Sequence, residues 1–141
     1  MKFYTKPVVV FYEKKGCGGN ARQKALLKNA GVEFEVKDIL NVVWTKELLE
    51  SFFKELSVEN IFNMSALKIK NNALDITVLS KEEAIELMIK EPILIKRPLL
   101  EINQTKVCGF DIDTINELLH IRMPKPKDIN ECKSNTPCKS V

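Results

Sequence analysis

The stretch from Pro7 to Asp38 constrains the fold more than any other part of the chain. "PVVVFYE" is β-branched and aromatic at successive positions, so it reads as a short strand buried on both faces. A glycine loop, "KKGCGG", follows. "NARQKALLKNAG" is rich in helix formers, with Asn20 placed as an N-cap and Gly31 where a left-handed C-terminal glycine belongs. "VEFEVKD" then alternates, with Val32, Phe34 and Val36 on one face of a half-buried strand. Strand, helix and strand at this spacing make a βαβ crossover, which implies parallel strands.

The middle of the chain is helical. In "TKELLESFFKEL", Leu48, Leu49, Phe52, Phe53 and Leu56 form one apolar stripe, with Thr45 as the N-cap. "SVENIFN" predicts a short further helix. "SKEEAIELMIKEP" carries a capping-box pattern, Ser80 with Glu83, and stops ahead of Pro92. "RPLLEINQTKVCGFD" returns to strand character as two runs joined by a turn at Asn103–Gln104. "DIDTINELLH" puts Ile112, Ile115, Leu118 and Leu119 at helical spacing. The order βαβ, helices, ββα predicts an α/β thioredoxin-like fold, a four-stranded mixed sheet with a helical insertion over about residues 41–95. Residues 1–121 form this domain, and the Pro-rich polar segment 122–141 is expected to be a loose tail.

The length of 141 residues suits one domain. The net charge of +3 is small and scattered, with no basic block interleaved with aromatics, so direct nucleic-acid binding is not expected. "VVVFY" is too short for a signal core, and no run nears the ~18 apolar residues of a membrane span. The expected location is cytoplasmic, away from membranes. There thiols stay reduced, so the four cysteines are not expected to form a disulfide framework.

Cys17 is the residue on which chemistry centres. Open α/β sheets bind ligands at the carboxyl ends of their strands, and Cys17 falls between strand one and helix one. A thiol titrates near ~8.5 in the open and falls to ~3.5–7.5 at a helix N-terminus or beside cations. The amides of Gly18, Gly19 and Asn20 would cradle an anion there, and Lys14, Lys15, Arg22 and Lys24 add positive charge. The alternative is a small buried hydrophobe, the common fate of a reduced cysteine. Asn20 stands where a C-x-x-C motif needs its second cysteine. Cys17 to Arg22 is C-x4-R, one residue short of a phosphatase-like loop. A monothiol site passes both tests.

With "FYEKKGCGGNARQKALLKNAG", "VVWTKELLESFF" and "ILIKRPLL…VCGFD" together, the chain resembles the glutaredoxin-coupled arsenate reductase and Spx-like family, and within it the nitrogenase-associated branch. The resemblance runs from about Val8 to Leu119. It implies that Cys17 is a nucleophile toward an oxyanion such as arsenate, resolved through mixed disulfides by glutathione and glutaredoxin, with no bound cofactor. It makes Arg97 the oxyanion-binding arginine and Pro98 a cis-proline. An Arg fork offers paired donors to such an anion. Two further family arginines are missing, their places falling near Lys68, Ile69 and Lys70 and at Gly109. That departure favours a rival reading, a non-catalytic interaction or regulatory protein whose partners include nitrogenase-related proteins.

Cys108, Cys132 and Cys138 are candidate resolving thiols. For Cys108 the commoner role is core packing, and for the other two it is reduced thiols in a tail. Cys132 and Cys138 are spaced too widely for the usual zinc pattern, and no metal site is expected. His120 is expected to be a capping or surface residue, and Trp44 a hydrophobic anchor.

Overall fold

Strand β1 (Val9–Glu13) is buried at every position, because it has a strand on each side and helices on each face. The computed structural model describes residues 8–64, 66, 74–127 and 129. Its order continues with α1 (Gly18–Asn29), β2 (Glu35–Asp38), α2 (Lys46–Phe53), α3 (Lys81–Lys90), β3 (Leu99–Ile102), β4 (Thr105–Cys108) and α4 (Ile112–Leu119). The sheet order is β2-β1-β3-β4. β1 runs parallel to β2 with Tyr12 opposite Lys37, and antiparallel to β3 with Tyr12 opposite Leu99. β3 and β4 are antiparallel, with Leu99 opposite Cys108. This is the four-stranded mixed sheet expected from the βαβ and ββα halves.

Alternation along β1 divides the core. Val10, Tyr12 and Leu99 pack with Leu49, Phe52, Phe53, Ala84, Ile85 and Met88 from α2 and α3. Val9 and Phe11 pack on the other face with Leu27 of α1, Leu100, Val107 and Ile115 of α4. Trp44 is buried as an anchor, its ring 5.5 Å from Tyr12 and its indole N–H donating to the Ile39 carbonyl at 2.9 Å.

Local chemistry sets the helix limits. Gly31 has φ +79°, and the amides of Gly31 and Val32 return to the carbonyls of Lys28 and Leu27, each at 3.0 Å, which closes α1 with a Schellman turn. Thr45 caps α2 by accepting from Leu48 N–H at 3.2 Å. Ser80 and Glu83 form both bonds of the capping box on α3. "SVENIFN" forms only a 3-10 turn over Val58–Asn60, and His120 closes α4 in the left-handed region.

Three expectations are corrected. Asn20 is not an N-cap: α1 starts two residues earlier, and Cys17 holds that position. β2 begins only at Glu35, and Val36 is 42% exposed, because an edge strand has a neighbour on one side alone. The segment after Arg122 is not uniformly loose, since Met123 and Ile129 are buried in the same cluster as Phe11. The remainder of the expected tail lies outside the described residues.

Replacing Ser80 with alanine removes one half of the capping box, and the expected cost is about 1 kcal/mol. Urea unfolding should show a lower midpoint with an unchanged slope.

Candidate functional site

The register brings four chain segments to one end of the sheet. Glu13 pairs with Asp38, Tyr12 with Leu99, and Leu99 with Cys108. The ends of β1, β2 and β4 and the start of β3 therefore meet. From β1 the chain turns through Lys14–Cys17, closed by Cys17 N–H donating to the Lys14 carbonyl at 3.2 Å. Gly16 has φ +81°, the third-position conformation that a type II turn reserves for glycine. This turn delivers Cys17 to the N-cap of α1. Its carbonyl accepts from Ala21 N–H at 3.0 Å, and Gly18, Gly19 and Asn20 form the first helical turn, whose amides have no acceptors within the helix. No acidic side chain occupies that turn.

Asn20 holds the loop. Buried to 2% exposure, its Oδ1 accepts from Lys14 N–H at 3.1 Å and its Nδ2 donates to Gln23 Oε1 at 3.0 Å. Gln23 Nε2 in turn donates to the Ile129 carbonyl at 2.8 Å. Behind the loop, Lys24 of α1 pairs with Glu13 at 2.7 Å. Cys17 is itself buried, at 7% exposure, and Arg22 is half-buried on α1 with its Nε in the interior.

Next to the loop's sheet end is a cleft of about 610 Å³ walled by Lys96, Arg97, Cys108, Gly109, Lys125 and Ile129. The Arg97–Pro98 peptide is cis, and the Pro98 carbonyl accepts from Gly109 N–H at 2.8 Å. Arg97 and Cys108 thus share a cleft. Cys17, Gly18, Gly19, Asn20 and Arg22 are not among its walls. The link between loop and cleft is Ile129, a wall residue tied to α1 through Gln23. Cys17 and Cys108 are thiols without a disulfide. Burial pushes the Cys108 thiol up to about 11, partly opposed by the Lys96 ammonium, so it is protonated at neutral pH. Cys132, Cys138 and the segment Lys68–Lys70 lie outside the described residues.

Sequence reasoning passed over Lys96. Its only sequence signal was a cation directly before Arg97 in "KRP". Among the described residues, no cluster of three or more His, Cys, Asp or Glu could hold a metal, and no helix is long and apolar enough to cross a membrane.

Comparison with known proteins places these features in a family context. The model of the ArsC family matches residues 12–118. A 15.7 kDa protein of the draG 3′ region of Rhodospirillum rubrum is 40% identical over 89% of this chain and 88% of its own length. The global transcriptional regulator Spx 2 of Bacillus anthracis is 24% identical over 79% of this chain and 87% of its own. The crystal structure of a possible arsenate reductase from Streptococcus mutans superposes with a TM-score of 0.65 at 25% identity, covering 77% of this chain and 97% of that one.

Two outcomes test the site's construction. Asn20→Ala strips the partners from the part-buried Lys14 backbone amide and from the buried Gln23 side chain, and should cost about 1–3 kcal/mol in urea unfolding. Alkylation of Cys108 by iodoacetamide, followed by peptide mass spectrometry, should be slow at pH 8 and rise about tenfold per pH unit up to pH 10, following the thiolate fraction.

Proposed function

The chain belongs to the ArsC family, and from that premise we propose that it is a thiol-dependent redox protein in which Cys17 is the nucleophile. The carrying observation is the position of Cys17 as the N-cap of α1, at the sheet end that also holds the cis Arg97–Pro98 peptide. A thiolate there meets first-turn amides and the positive end of the helix dipole, and both favour an anion. Sulfur in that state attacks a disulfide, breaking its S–S bond and releasing the other sulfur as a thiolate, or attacks the central atom of an oxyanion, breaking one bond to oxygen that leaves as water; either leaves a covalent adduct on Cys17. Glutathione and glutaredoxin are the reductants that resolve such an adduct through mixed disulfides. Arg97 is the charge partner of the oxyanion, with arsenate or a similar species as substrate. Asn20 in place of a second loop cysteine is consistent with resolution by an outside thiol.

A second reading is supported by Gly109, which brings no side chain to the cleft, and by the similarity to a transcriptional regulator. In it the fold serves as an interaction or regulatory protein, with nitrogenase-related proteins among its partners. The same scaffold can serve both roles.

A glutaredoxin-coupled reductase assay with glutathione separates them. Wild type should turn over arsenate and Cys17→Ser should lose at least about 1,000-fold, as loss of a covalent nucleophile does. Equal activity of the two proteins rejects Cys17 as nucleophile. Inactivity of both favours the regulatory reading.

A further inference from the structure

We propose that the outer edge of β2 is a self-association surface, where a second copy of this chain adds its own β2 antiparallel, centred on Val36. The proposal stands apart from the thiol-redox reading and does not rest on it.

β2 is the end strand of the order β2-β1-β3-β4, and among the described residues it pairs with β1 alone. Its other side carries backbone N–H and C=O groups that can receive a further strand. Glu35, Val36 and Lys37 are all exposed, so the edge is open to solvent. Two usual protections of such an edge are missing. The pairing with Val10–Glu13 runs through four residues without a bulge, and β2 contains no proline. What it does carry is charge of both signs. Neither Glu35 nor Lys37 has an ion pair among the described residues. The opposite edge differs, because Lys106 of β4 is already paired with Glu101 of β3 at 2.9 Å.

The sequence of β2 selects one register. Val36 stands beside Phe11 on one face of the sheet, while Glu35 and Lys37 stand beside Val10 and Tyr12 on the other. Two copies related by a two-fold axis normal to the sheet keep their faces. Opposed side chains then share a face only when the axis passes through a residue. Centred on Val36, that residue meets the partner's Val36, and Glu35 meets the partner's Lys37 on either side. Centred on Glu35, Lys37 or Asp38, like charges meet at the axis, which destabilises a cross-strand pair. Pairing about Val36 gives two ion pairs on one face and an apolar pair on the other, and it covers a valine that is 42% exposed. Lys37 can turn outward to make its pair. Its ammonium is 5.9 Å from the Tyr12 ring centroid, at the outer limit of such contacts, on a flexible stem.

Just past the strand, Lys37, Asp38, Asn41, Val42 and Val43 line a shallow hollow of about 380 Å³, and Val43 is 87% exposed. In this register the partner's Phe34 stands opposite Asp38, so the partner's chain enters its strand beside that hollow. The cleft walled by Arg97 and Cys108 borders β4 at the far edge and stays uncovered.

Sedimentation velocity of the full-length chain over an about hundredfold range of concentration reads the association, at low salt where exposed ion pairs are least screened. The wild-type sedimentation coefficient should climb from that of a monomer toward that of a dimer. Glu35→Lys and Lys37→Glu each set like charges opposite one another at both symmetry-related positions, so each should weaken association at least about tenfold. An equimolar mixture of the two variants should recover it, as should the double variant, since every pair across the edge is complementary again. Both positions are exposed, and the far-UV circular dichroism of each variant should match wild type. A wild type that stays monomeric throughout overturns the proposal. So do single variants that associate as wild type does, and a mixture that associates no better than its components.

Discussion

The two-sided burial of β1 is the constraint on which the rest depends. With β2 on one edge and β3 on the other, its backbone groups are satisfied within the sheet, and its side chains enter both core clusters by alternation. Each helix is positioned by the face it covers. The end of β1 consequently fixes where α1 starts, and the Glu13–Lys24 pair and the Asn20 bridge hold that start against the strand. A cysteine one turn after such a strand has little freedom, since the sheet, the turn and the helix all specify its place.

Much of this was legible because it is local. The continuous apolar run of β1, the Ser80–Glu83 box, the glycine closing α1 and the hairpin turn at Asn103 each follow from a few adjacent residues. Asn20 shows where local reasoning stops. Asparagine is a good N-cap by propensity, but the Lys14–Cys17 turn begins the helix earlier, and the Asn20 amide is used across that turn instead. Met123 and Ile129 are buried in the cluster that holds Phe11 and Ile115, a long-range association that periodicity does not encode. Lys96 was hidden for a related reason. It lies close to Gly109, just past the end of β4, a proximity that no local pattern encodes.

The site joins two unlike environments. Around Cys17 the positive character comes from backbone amides at a helix start, fixed in direction and independent of pH. In the cleft it comes from side chains, Lys96 and Arg97, set against carboxylates that are themselves engaged. The protonated Cys108 adds a thiol that burial keeps neutral.

The bond from Gln23 to the Ile129 carbonyl spans 106 positions in the chain. During synthesis the helix bearing Cys17 leaves the ribosome long before Ile129 does, and early segments begin to fold as they emerge. The inner end of the Asn20–Gln23 bridge therefore stays open until Ile129 has been made. The helix that starts at Cys17 gains this brace only when the distal segment arrives, so its support comes from a part of the chain made much later than itself.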